Sequence, residues 1–183
     1  MNPIRNFLRR ALEKHPLLAN SIIYGTLCTA AELSQQTLTK KVISEVPRPI
    51  EYDIVGRYSI YGTFVGGPVL SVWYRFLDKM CPGTAPKILV KKLLVDQFFF
   101  TPQLLVLFYV TMSLMERKQD LLEECKSKFP KTFQTSCLFW LPAQTVNFAV
   151  IPSVYRVTYI SCCSFAWINI LCWLKREEVA VEQ

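Results

Sequence analysis

Few residues in this chain have the type and spacing to do chemistry, and most of those lie in apolar surroundings. Trp140, Gln144 and Asn147 recur at steps of four and three, which places them on one helical face, and Arg156 follows Pro152 in a run otherwise free of charge. Asp53 and Asp96 could be read as a carboxylate pair sharing a proton, as in aspartyl proteolysis. Each, however, has a cation one helical turn away, Arg57 after Asp53 and Lys92 before Asp96, so ion-paired carboxylates near helix ends are the simpler account. The single histidine, His15, leaves no Ser-His-Asp set to assemble, and neither a Gly-rich phosphate loop nor His-Glu-x-x-His occurs. The seven cysteines include no Cys-x-x-Cys pair. Cys28, Cys137, Cys162, Cys163 and Cys172 fall in uncharged stretches, where cysteine behaves as a small hydrophobe, while Cys81 and Cys125 lie in connections. No catalytic residue, metal ligand or cofactor is therefore assigned, and no enzymatic activity is expected.

What remains is a polar set in apolar surroundings: Glu32, Asp53, Arg57, Asp96, Gln97, Gln144, Asn147 and Arg156. Amides and charges so placed normally point into a helical bundle and hold it together by hydrogen bonds worth about 0.6 to 2 kcal/mol each. The same groups could line a polar permeation path.

The elements that must position this set are read from the spacing of the charges. The formal net charge is +7 and 51% of residues are hydrophobic, yet uncharged intervals run from His15 to Ala31, Tyr58 to Tyr74, Gln97 to Met115, Thr132 to Tyr155 and Val157 to Leu174. Each approaches or exceeds the roughly 20 residues a helix needs to cross a hydrocarbon core about 30 Å thick. Phe98, Phe99, Phe100, Leu104, Leu105, Val106, Leu107 and Phe108 cover every side of a helix, unlike the single apolar stripe of a soluble one. The expected fold is all-α, an integral membrane bundle of four or five transmembrane helices plus short interfacial helices. A basic amphipathic arm (1–14) precedes one multi-pass domain (15–174) and a charged tail (175–183). Glu116 to Lys131, with apolar residues at helical spacing, is expected as a short helix at the interface.

Gly62 and Gly66 form a Gly-x-x-x-Gly step that invites close approach of another helix, including that of a second copy. Gly67-Pro68, Pro102 and Pro152 are expected to bend or interrupt their helices, and Pro152 marks the joint between the last two. The arm carries Ile4, Phe7, Leu8, Ala11 and Leu12 opposite Arg5 and Arg9, which suits either a mitochondrial targeting helix or a basic helix on an anionic lipid surface. Lys and Arg divide almost evenly between the two sides of a five-span arrangement, so orientation is left open.

Several of these residues together resemble a known family. Asp53 and Arg57, Gly67-Pro68 with Trp73-Tyr74, Asp96-Gln97 with Pro102, and Trp140, Gln144, Asn147-Phe148, Pro152 and Arg156 resemble the motifs of the Mpv-seventeen / peroxisomal membrane protein twenty-two family. His15-Pro16, Tyr24-Gly25, Gln35-Gln36, Phe108-Tyr109-Val110 and Met112-Ser113 resemble its Mpv-seventeen-like branch. The chain departs from the family pattern at Ala31-Glu32, where Gly-Asp is usual, at Ser71, where many members have His, and at Leu141-Pro142, where the proline is shifted by one. The resemblance implies an organellar multi-pass membrane protein linked to reactive-oxygen metabolism and organelle homeostasis, acting as a regulated channel or as a scaffold for a protein partner such as a protease or chaperone. It implies the mitochondrial inner membrane, with the peroxisomal membrane as alternative. The partners expected are the lipid bilayer, a second copy through Gly62 and Gly66, and a protein, with no nucleic acid.

Overall fold

The computed structural model describes residues 3–43 and 48–181. Among the described residues the chain is helical throughout, without strands. Its α-helices are α1 (Pro3–Lys14), α2 (Pro16–Thr37), α3 (Tyr52–Ile60), α4 (Gly67–Met80), α5 (Pro86–Val95), α6 (Thr101–Met115), α7 (Glu123–Ala149) and α8 (Arg156–Val181).

Proline decides where several of these begin. Pro16, Pro68, Pro86 and Pro102 occupy first-turn positions of α2, α4, α5 and α6, where a missing N–H costs nothing. Pro68 and Pro102 do so without ending the rod. A π-helical turn precedes each, Tyr61–Gly66 before α4 and Asp96–Phe100 before α6. A proline ring would clash with the carbonyl four residues back in a regular α-helix, and the wider turn makes room for it. Pro152 acts differently. There α7 stops at Ala149, Pro152 is extended (φ −59°, ψ 145°), and a single 3₁₀ turn, Ser153–Tyr155, leads into α8.

The α5–π–α6 rod, Pro86–Met115, is 30 residues long and is the one helix among the described residues both long and apolar enough to cross a membrane. It presents Val90, Leu94, Phe98, Phe99, Val106 and Leu114 outward, all more than a third exposed.

At the centre lies α2, packed against α3, α4 and α8. The core joins Tyr24 and Cys28 of α2 to Leu70, Trp73, Tyr74 and Leu77 of α4, Phe100, Phe148 of α7, and Val157 and Ile160 of α8. Glycines permit the closest of these approaches. A Cβ on Gly62 would come within 2.9 Å of the Gly25 Cα, and one on Gly67 within 2.6 Å of the Ser21 Cα. Gly62 and Gly66 are thus buried against α2 of the same chain, and the close approach they permit here is to that helix.

One expectation is corrected. Glu116 to Lys131 is not a separate interfacial helix. After a turn at Arg117, whose φ is 56°, α7 starts at Glu123 and runs without interruption past Pro130 and Pro142. The α8 backbone continues through residue 175 to Val181; the side chains of the charged tail and residues 182–183 lie outside the described residues.

Candidate functional site

Asp96 is at the centre of the polar set. It begins the π turn of the α5–α6 rod, and its carboxylate is 2% exposed. Oδ1 accepts a 2.7 Å hydrogen bond from Trp73 Nε1 of α4, and Oδ2 accepts one of 2.7 Å from Gln144 Nε2 of α7. The Gln144 amide also donates to the Tyr74 hydroxyl (2.8 Å), and its Oε1 accepts from Asn147 Nδ2 (2.8 Å). One network therefore ties three helical rods together around a carboxylate that has neutral partners. Trp73 is held further by Phe100, stacked at 4.2 Å and 4°. Asn147 is fully buried, and its Oδ1 has no partner.

Lys92 does not pair with Asp96, which corrects the expectation drawn from their spacing. It turns to Asp78 at the end of α4, with Nζ 2.8 Å from Oδ1. Arg156 Nη1 binds that same oxygen, and the Ser153 hydroxyl donates to Oδ2 at 2.7 Å. Lys92 additionally reaches the Gly83 carbonyl, and Arg156 Nε the Ile151 carbonyl, each at 3.4 Å. The Phe148 ring lies beside both cations, 6.0 Å from Lys92 Nζ and 5.4 Å from the Arg156 guanidinium carbon. Burial pushes the Asp78 carboxyl up, but the bonds from Arg156, Lys92 and Ser153 outweigh it and hold the group below its ordinary value.

Asp78 was missed in the sequence because it sits beside Lys79 at a helix end, where a carboxylate looks solvated. The signal available was Arg156, whose counter-charge had to come from another helix. Asn20 was missed as well: buried on α2, it donates to Ser71 Oγ at 3.1 Å. Being uncharged, Asn20 does not break its apolar run.

The other expected residues lie apart from these two clusters. Gln97, 1% exposed, points at α7, with Nε2 3.5 Å from Ser136 Oγ and 3.3 Å from Cys137 Sγ, and its Oε1 has no partner. Glu32 accepts from Gln36 (2.9 Å), and Gln36 clasps the Glu51 backbone at the entry to α3. Asp53 and Arg57 do pair, at 2.7 Å, and Arg57 extends to Glu116 at 3.1 Å, linking α3 to the far end of α6. The polar framework is therefore several local clasps. Asp96, Gln144 and Asn147 form one, and Arg156 belongs to another.

The surface grooves do not enter these clusters. One, about 400 Å³, is lined by Ile22, Thr26, Thr29, Ala30, Leu33, Ser59 and Thr63. Another follows Pro102, Gln103, Val106, Leu107 and Val110 of α6.

Comparison with known proteins agrees with the motif pattern. The Mpv17 / PMP22 family model matches residues 113–172, which includes Gln144, Asn147 and Arg156. An "Mpv17-like protein" of Xenopus laevis is 32% identical over 167 residues, covering 91% of this chain and 80% of the relative. "PXMP2/4 family protein 2" of Dictyostelium discoideum is 32% identical, covering 85% and 82%. "Mitochondrial inner membrane protein Mpv17" of Rattus norvegicus is 29% identical, covering 90% and 93%. No solved structure gives a significant match. At 32% identity to a relative of which it covers 80%, the chain belongs to the Mpv17 / PMP22 family.

Proposed function

We propose that this is a non-enzymatic, multi-pass protein of the mitochondrial inner membrane, with the peroxisomal membrane as the alternative, which influences organelle redox state as a regulated pore held closed by its polar clasps. The location rests on the names of relatives in both organelles. Five rods of sufficient length, α2, α3–α4, α5–α6, α7 and α8, support several spans in the proposal.

The observation that carries the pore reading is Asp96. A carboxylate 2% exposed and bound to neutral groups sits in the rod best suited to lipid, where an ionisable side chain is costly and usually marks a pathway. The unpartnered acceptors of Gln97 and Asn147 lie in the same interior and would be satisfied if water entered. In the closed state Gln144 fills the space between Tyr74 and Asp96, so opening requires α7 to withdraw from the α4 and α5–α6 rods.

Purified protein in planar bilayers should show reproducible conductance altered by Asp96→Asn. A preparation of native helicity that stays silent across voltage and redox conditions would sink the pore.

One observation favours a scaffold instead. The Gln144 and Asn147 amides donate within the bundle, as purely cohesive groups would. Proximity labelling in intact organelles, with rescue by a chain lacking Gln144 and Asn147 polarity but retaining its fold, would favour that reading.

A further inference from the structure

The Arg156–Lys92–Asp78 cluster is not balanced in charge. Two cations whose side chains are 6% and 3% exposed share one carboxylate, itself 23% exposed. In residues 74–95 and 150–160 Asp78 is the sole acid, and α1, which packs against the Ser153–Tyr155 turn, carries Glu13 against Arg5, Arg9, Arg10 and Lys14. Arg75, Lys79, Lys87 and Lys91 add four exposed cations. A nearly buried cation without its own counter-charge is costly, and a hydrophobic environment raises the cost.

The spare capacity has a direction. Arg156 uses Nη1 on Asp78 and Nε on the Ile151 carbonyl, while Nη2 is bonded to none of the described residues. Access is over Asp78, the most exposed member. The rim beside it is apolar: Met80 is 53% exposed, Val150 71%, Val154 37% and Tyr155 36%. A basic pocket at the end of membrane helices, edged by apolar and aromatic side chains, has the chemistry of a phosphate headgroup above its acyl chains.

We propose that Arg156 and Lys92 bind the phosphate of an anionic phospholipid, which supplies the second negative charge that Asp78 alone does not. The phosphodiester meets Arg156 Nη2 and the Lys92 ammonium, Asp78 remains in place as the group that orients both, and the acyl chains lie along the Val150–Tyr155 edge. This site does not depend on whether the protein conducts.

The test uses full-length protein in nanodiscs of phosphatidylcholine, with and without phosphatidylglycerol, read by thermal unfolding and by lipid retained in native mass spectrometry. Phosphatidylglycerol should raise the unfolding midpoint and be retained preferentially, roughly fivefold per engaged cation. Arg156→Gln should lose most of that preference, whereas Arg75→Gln and Lys79→Gln should keep it. Asp78→Asn leaves both cations without a counter-charge. It should be less stable than wild type in phosphatidylcholine and recover in phosphatidylglycerol by a larger shift, and this arm decides the question if Arg156→Gln does not fold. Equal preference in wild type and Arg156→Gln would mean diffuse surface attraction and overturn the site. The same shift from inorganic phosphate in phosphatidylcholine discs would overturn the lipid assignment, as would failure of phosphatidylglycerol to rescue Asp78→Asn.

Discussion

Asp96 shows why a carboxylate can stay inside this bundle without a cation. Its two oxygens meet an indole N–H and an amide N–H, so charge-assisted bonds replace water at both. Asp96→Ala should therefore leave Trp73 and Gln144 with unmet donors and cost about 2 to 4 kcal/mol. Asp96→Asn should cost less but still destabilise, because its new NH₂ faces a donor. Both should alter Trp73 emission, which denaturation followed by fluorescence would reveal; unchanged stability and emission would contradict the network. Asp78 makes a different prediction, with a definite sign. Its carboxyl is held below its ordinary value of about 4, so its stabilising effect is complete above that pH and disappears as pH falls through the lowered value. Unfolding midpoints between about pH 5 and 2 should drop for the wild type, and Asp78→Asn should flatten that limb. Sequence spacing paired Asp53 with Arg57 correctly because both sit on one regular helix. It failed for Lys92 and Asp96. Regular helical register holds from Lys92 to Asp96, but another acceptor, Asp78, already shared with Arg156, was available on a different helix.

At the scale of elements, glycine and proline carry most of the information, and the sequence displayed both. It could not say what the glycines face. Gly62 and Gly66 announce close approach, but nothing in a five-residue motif distinguishes α2 of the same chain from a neighbouring molecule; that requires Gly25 and Ser21 from a distant segment. Gly67→Ala would drive a methyl into the α2 backbone at Ser21 and should destabilise by about 1 to 3 kcal/mol. Gly56, also helical, has nothing within 4 Å of an added Cβ, so Gly56→Ala should be neutral or stabilising by up to about 1 kcal/mol. Thermal unfolding of the two variants in one detergent checks the contrast, and equal midpoints would mean that α2 does not lie against α4 as described. The prolines were legible as interruptions, but their outcomes differ with the turn before them. A π turn absorbs Pro68 and Pro102 within a continuous rod, whereas two residues of broken helix precede Pro152 and free the chain to reverse. Prolines at 130 and 142 leave α7 uninterrupted, which residue type alone would not indicate.

For the whole molecule, the fold gives the charges an arrangement that counting Lys and Arg could not. The end formed by the α4–α5 connection and the Pro152 joint is almost purely basic. At the far end of α6, by contrast, Arg57, Lys118 and Lys128 neutralise Asp53, Glu116 and Glu124. The positive-inside rule weighs Lys and Arg alone, so near-equal numbers left orientation open even though the two ends differ in net charge. What joins these ends is the Pro86–Met115 rod, about 45 Å long at 1.5 Å per residue and therefore longer than a hydrocarbon core. If that rod crosses, Thr84 and Asp120 flank opposite faces of the membrane. Val154 must share the Thr84 side, because neighbouring Ser153 binds Asp78 and Asp78 binds Lys92 in the second turn beyond Thr84. Single substitutions Thr84→Cys, Asp120→Cys and Val154→Cys in sealed proteoliposomes, treated with a membrane-impermeant maleimide, test this geometry against the unsubstituted chain. Within each uniformly oriented population, Thr84→Cys and Val154→Cys should label together, and Asp120→Cys should be protected until the vesicles are opened, or the reverse. Labelling of Thr84→Cys and Asp120→Cys from one side would mean that the most apolar rod does not span, and would remove the membrane setting on which the buried Asp96 acquires its functional meaning.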